Sequence, residues 1–128
     1  SNVRVGRNYL TDLVKELEPD VGMVSSIIRG VEPRTFAGAL EAVYLNTFYL
    51  RGMMLSESVG KPCVVGKAML FRKEILERLG GMKLLGRYLA EDYIAGLGVQ
   101  YLGKKVRISS EPVDQMIGEY RFRDFWSR

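Results

Sequence analysis

Residues 21–28 constrain the fold more than any other stretch of this chain. Val21-Gly22-Met23-Val24-Ser25-Ser26-Ile27-Ile28 is apolar on both of its alternating faces apart from Ser25 and Ser26. A strand with one wet face alternates apolar and polar residues, whereas a run apolar on both sides belongs in a sheet covered on both faces. That pattern puts the chain in the α/β class. Its 128 residues suit one domain.

The flanking segments supply the covering helices. Val3-Arg4-Val5 alternates as a short strand and Gly6 turns it. Asn8 is placed to cap a helix whose apolar face is Tyr9, Leu10, Leu13, Val14 and Leu17, and Pro19 ends that helix. Strand, helix and strand in this order predict a βαβ unit. Residues 29–32 read as a loop, with Pro33 at the first position of a long helix running to about Ser58. Phe36, Leu40, Val43, Tyr44, Thr47, Leu50 and Met54 keep helical spacing along it. This helix is rich in Tyr, Phe and Met. Such a stripe is more often core packing, and the sharper alternative is a face that meets a lipid chain or a membrane interface.

Gly60-Lys61-Pro62 reads as a turn, and Cys63 to Phe71 as a strand in which Gly66 marks a close approach by another backbone or a ligand. A short helix over Arg72–Leu79 ends at Gly80-Gly81. From Ala90 a further helix carries Ile94, Leu97 and Tyr101 on one face and closes at Gly103. Val106 to Ser109 alternates as a strand that Val113, Met116 and Ile117 extend or follow, and a last helix starts near Tyr120.

The chain has no histidine. General-base chemistry near neutral pH therefore falls to a carboxylate, a lysine, a tyrosine or Cys63. Glu91-Asp92 heads the helix from Ala90. Acidic residues in a first turn commonly just complement the helix dipole. Neighbouring side chains also point about 100° apart, so the two carboxylates cannot share one job. Cys63 reads by default as a buried structural thiol, and no imidazole is available to make it a nucleophile. A single cysteine excludes an internal disulfide and fits a reducing compartment. The net charge of +4 favours anionic surroundings. The charge is dispersed, with no long basic block, which argues against nucleic acid. Arg121, Arg123 and Arg128 interleave with Phe122, Phe125 and Trp126, a pattern that suits phosphate or nucleic acid, or simply an amphipathic helix with snorkelling arginines. No apolar run approaches transmembrane length, and no leader pattern is read.

Several segments, in order, resemble the ceramide glucosyltransferases, inverting glycosyltransferases with a GT-A fold. Ser1-Asn2-Val3-Arg4-Val5 is similar to the residues after that family's metal-binding Asp. Cys63-Val64-Val65-Gly66, Phe71-Arg72-Lys73 and Gly80-Gly81 resemble its Cys-Val-x-Gly, Arg-Lys and Gly-Gly run. Tyr88-Leu89-Ala90-Glu91-Asp92-Tyr93 is similar to its Tyr-Ile/Leu-Ala-Glu/Asp-Asp-Tyr motif, and Phe125-Trp126-Ser127-Arg128 to the lead into its final Arg-Trp motif. The resemblance implies that Asp92 is the catalytic base and Glu91 its supporting neighbour. It implies that Gly66 lets the acceptor pass the backbone, that Cys63 lies near the pocket, and that Arg128 opens the motif steadying the departing diphosphate. Donor and acceptor would be UDP-glucose and ceramide, with a hopanoid or another bacterial lipid as the alternative acceptor.

The same resemblance marks this chain as the acceptor-side, C-terminal part of a glycosyltransferase catalytic domain. Nucleotide-binding half and transmembrane helices would lie elsewhere, and the isolated part would be inactive. A divalent metal, Mg or Mn, is expected in the full-length enzyme and none on this part, with Asn2 standing where many relatives have a second Asp. The full-length protein would be membrane-associated, its catalytic domain on the cytoplasmic side. Cut sheet edges and apolar faces leave homo-oligomers open. The rival from another class is a non-enzymatic basic module that binds phosphate or membrane surfaces.

Overall fold

The computed structural model describes residues 2–61 and 63–127. Along the chain run β1 (Val3–Arg4), α1 (Tyr9–Lys15), β2 (Val21–Pro33), α2 (Phe36–Val43), a π-helical segment (Tyr44–Tyr49) and α3 (Leu50–Ser58). Then come β3 (Met69–Phe71), α4 (Lys73–Arg78), α5 (Gly81–Leu85), α6 (Glu91–Tyr101), β4 (Lys105–Gly118) and α7 (Phe122–Trp126). The expected α/β architecture holds: a mixed four-stranded sheet of order β1-β4-β2-β3 with helices on both faces.

The long strands β2 and β4 are parallel, from Val21 opposite Lys105 to Pro33 opposite Gly118, and parallel neighbours need the long crossover that residues 34–104 provide. Both faces of β2 are buried, as its sequence demands. Met23 packs with Val64, Ile75, Leu85, Ala95, Val99 and Val106 under α4, α5 and α6. Val21 and Val24 pack on the other side with Leu13 of α1. A register shift between Ser26 and Ile28 keeps Ile28 on the Met23 side, where it meets Met53 of α3 and Val65.

Four expectations are corrected. β1, α1 and β2 do not form a βαβ unit, because β4 lies between the strands and β1 pairs with it antiparallel. Residues 29–32 are strand, not loop. Beyond the end of β3 the free edge of β2 is closed by a helix: the Asn46 side chain accepts from Gly30 N–H at 2.8 Å and donates to Gly30 C=O at 3.0 Å, as a neighbouring strand would. A Cβ on Gly30 would sit 3.1 Å from the Ala42 Cα, so only glycine lets that helix approach. Pro33 accordingly ends β2, and Thr35 caps α2 by accepting from Gly38 N–H at 3.0 Å. Finally, only Met69–Phe71 of the predicted 63–71 strand joins the ladder.

The stripe predicted for the long helix is also the wrong one. Its inner positions are Ala37, Glu41, Leu45 and Met53, all buried, whereas Phe36, Val43, Phe48 and Met54 are exposed. Leu45 and Met53 are eight positions apart, while two α-turns take about seven. The wider π turns between them absorb the extra residue and keep both stripes straight. On α6, likewise, the buried residues are Ala95, Gly96 and Val99, with Tyr101 92% exposed. Glycines let α6 lie flat: a Cβ on Gly96 would come within 2.8 Å of the Val64 Cγ2.

Candidate active site

The N-terminus of α6 meets the loop before β3. Ala90 occupies the cap position without a side-chain cap, so the two acids that follow are not consumed in capping through it. Asp92 Oδ1 accepts from Tyr93 N–H at 2.7 Å, and Oδ2 reaches across to accept from Gly66 N–H at 3.0 Å. Two backbone donors thus fix the orientation of the half-buried carboxylate, and about two of its four lone-pair directions remain for a substrate. The sequence suggests a strand glycine approached by another backbone or a ligand; Gly66 lies instead in the loop before β3, and the group that reaches it is the Asp92 side chain. A Cβ there would lie 3.4 Å from Asp92 Oδ2 and 3.7 Å from Glu91 Oε1. Glu91 is exposed beside it.

The loop that carries Gly66 is held from β2 by a side chain. Ser25, fully buried, donates from Oγ to Ala68 C=O at 3.0 Å and accepts from Val65 N–H at 3.3 Å. The two serines that interrupt the apolar strand therefore each have a task, because Ser26 Oγ shares a 2.6 Å hydrogen bond with the Tyr9 hydroxyl. Lys67, next to Gly66, donates from Nζ to Gln115 Oε1 at 2.5 Å. Gln115 pairs with Val3, so this contact joins the Asp92 corner to the β1 edge. Sequence reasoning missed Lys67 and Gln115. Adjacency to Gly66 was the only available sign for the first, and nothing local marked the second.

The remaining predicted residues separate. Cys63 is exposed rather than a buried structural thiol, while Val64 and Val65 after it are buried. Arg128, with Ser1 and the Pro62 of the predicted turn, lies outside the described residues. Arg72 of the Arg-Lys pair is structural: it donates to the carbonyls of Val21 at 3.0 Å and Glu18 at 2.9 Å, tying the end of the α1 region to β2. Among the described residues no group of three or more His, Cys, Asp or Glu side chains is placed to hold a metal. Asn2 spends its amide on Met116 C=O at 3.1 Å.

A groove of ≈ 330 Å³ runs along α6 beside this corner, lined by Gly60, Lys61, Tyr93, Gly96, Leu97 and Gln100. A groove of ≈ 440 Å³ lies instead at the starts of β2 and β4. There Lys105 pairs with Asp20 at 3.0 Å and Arg107 with Glu18 at 3.0 Å, so its charges are already matched.

The chain is thus a layered α/β unit with a carboxylate held by two backbone donors at a helix start. Comparison with known proteins gives the family. Residues 1–128 match glycosyl transferase family 21 throughout, and the chain belongs to that family. It is 30% identical over 93 residues to ceramide glucosyltransferase 1 of Caenorhabditis elegans, and 32% identical over 93 residues to ceramide glucosyltransferase 3 of the same organism. Each match covers 73% of this chain and 20% of the relative, so the chain spans about a fifth of the length of the curated relatives it matches.

Proposed function

We propose that this chain is the acceptor-side part of an enzyme that transfers glucose from UDP-glucose to the primary hydroxyl of a lipid such as ceramide, with inversion, and that Asp92 is its general base. The observation that carries the reading is the Gly66 N–H to Asp92 Oδ2 contact, within a chain that matches family 21 from end to end. The acceptor oxygen attacks the anomeric carbon as the bond from that carbon to the diphosphate oxygen breaks. The hydroxyl proton passes to a free lone pair of the Asp92 carboxylate, and UDP leaves with the bonding electrons. A carboxylate is basic enough because the proton moves only as the new bond forms.

Gly66 serves twice, its N–H orienting the base and its bare Cα leaving room beside it. Glu91, exposed on the adjacent helical position, is the supporting acid. The apolar residues Tyr93 and Leu97 of the α6 groove offer a wall for an acyl chain close to the base. Cys63 and Arg128 keep their proposed places by the pocket and the diphosphate. The divalent metal that the resemblance implies needs ligands beyond these residues, and no step here runs through it. Membrane association, with the catalytic side in the cytoplasm, belongs to the same reading.

The test uses a protein of the relatives' length that carries this chain, assayed with UDP-α-glucose and ceramide. A β-linked glucosylceramide supports the proposal. An α-linked product, or glucose delivered only to a water-soluble acceptor, contradicts it.

A further inference from the structure

Lys67 is the residue next to Gly66, whose N–H holds the Asp92 carboxylate. The end of its side chain is placed by the fold. Gln115, buried on β4, accepts from Lys67 Nζ at 2.5 Å, and its strand neighbours are Val3 of β1 and Gly30 of β2. An exposed lysine ordinarily samples many rotamers, whereas here a buried amide far along the chain fixes the ammonium. The chemistry of that anchor matters as much. Arg29 meets Asp114 at 2.7 Å, Lys105 meets Asp20 at 3.0 Å and Arg107 meets Glu18 at 3.0 Å, carboxylates that cancel the charges they orient. The Gln115 oxygen is neutral, so its bond orients the ammonium without cancelling its charge.

The reach of the side chain fits one side of a displacement. In an inverting reaction the entering and departing groups lie on opposite sides of the anomeric carbon, and the side chains that serve them stand about 6.5–9.5 Å apart in inverting glycoside chemistry. Consecutive Cα atoms lie about 3.8 Å apart, and a lysine stem carries its ammonium about 6 Å from its own Cα. An extended Lys67 therefore reaches from the Gly66 corner to the far side of a sugar ring. We propose that Lys67 binds the departing diphosphate of the sugar nucleotide at its β-phosphate, and that Gln115 is the positioning residue that aims it. The inference rests on the transfer reading above. As the bond from the anomeric carbon to the β-phosphate oxygen breaks, negative charge gathers on that oxygen. A fixed cation beside it stabilises the departing group more than the bound donor. An ammonium has three donors, so it can keep the Gln115 bond and still donate to phosphate.

The experiment is calorimetric titration of UDP and of UMP into a protein of the relatives' length that carries this chain, with steady-state kinetics on the same samples. Lys67→Met should bind UDP about tenfold or more weakly than the parent. UMP has no β-phosphate and should bind both alike. KM for UDP-glucose should rise, while KM for ceramide stays at the parent's value. Gln115→Glu keeps a partner for Lys67 but adds the cancelling charge, so it too should weaken UDP binding. A merely structural tie would be kept or strengthened by that carboxylate. Lys83→Met, which removes an exposed cation from α5, should bind UDP as the parent does. Matched circular dichroism melts check that the variants fold. Parent affinity for UDP in folded Lys67→Met overturns the assignment and leaves the transfer reading standing, and so does an equal loss for UMP or in Lys83→Met. Parent affinity in Gln115→Glu overturns the positioning role. A parent that binds no UDP and transfers no glucose overturns both readings together.

Discussion

Replacing Ser25 by alanine isolates the contact that holds the loop carrying Gly66 to the sheet. Its hydroxyl is fully buried and serves two backbone groups, accepting from Val65 N–H and donating to Ala68 C=O. In the variant Ala68 C=O keeps the Ser26 N–H at 3.4 Å, but the N–H of the buried Val65 loses the hydroxyl. An unsatisfied buried donor costs about 1–3 kcal/mol, and the middle of that range is about 2. With an unfolding entropy of about 2.1 cal/mol/K per residue over 128 residues, that cost lowers Tm by about 7 °C. Gly66 follows the released Val65 N–H directly, so its amide should also exchange with solvent faster as its bond to Asp92 loosens. Thermal melting by circular dichroism measures the first effect, and hydrogen exchange at the Gly66 amide the second. A Tm within about 2 °C of the parent, with unchanged exchange at Gly66, would refute the clamp.

Two further perturbations probe packing and pH. Gly96→Ala pushes a Cβ to 2.8 Å from the stiff Val64 side chain and should destabilise by about 1–2 kcal/mol. Gly98→Ala meets only the movable end of Leu79 at 2.6 Å, and the gain in helix propensity should leave it near neutral; equal melting temperatures for the two variants would contradict this. Burial pushes the Tyr9 phenol up from its ordinary 10.0, against the Ser26 hydrogen bond and with help from Glu16. The folded chain therefore holds this proton to higher pH than the unfolded chain does. The associated stability is intact below about pH 10 and is lost as pH rises through the raised value. Tyr9→Phe should flatten the fall in Tm between about pH 9 and 11, and an unchanged slope would refute the assignment.

The doubly covered strand and the helix stops at Gly80 and Gly103 were legible because each rests on local chemistry. Apolar runs on both faces and positive φ at Gly80 and Gly103 leave a mark in the sequence. What was not legible is non-local. β4 inserts between β1 and β2 from more than eighty residues away, and no spacing within residues 3–28 announces it. Gly30 and Glu32 look like loop residues until Asn46 supplies the missing edge partner. The faces of the helix over residues 36–58 were misjudged from its first turns, because the spacing followed the large apolar residues Phe36 and Val43 whereas the packed positions are the small Ala37 and the acidic Glu41; the π segment after Val43 then shifts the phase by about one residue. Asp92 and Gly66 were both singled out in the sequence and the fold joins them by a hydrogen bond, whereas Lys67 and Gln115 meet across 48 positions and needed the fold.

Asp92 tests the central claim most directly. In a protein of the relatives' length, kcat for glucosyl transfer should be compared among the parent, Asp92→Asn and Glu91→Gln. The amide keeps an oxygen for Gly66 N–H but cannot take a proton, so Asp92→Asn should lower kcat by about a hundred- to ten-thousandfold with folding intact. Glu91→Gln should cost far less. Transfer by folded Asp92→Asn at the parent's rate would contradict the account and remove Asp92 as the base.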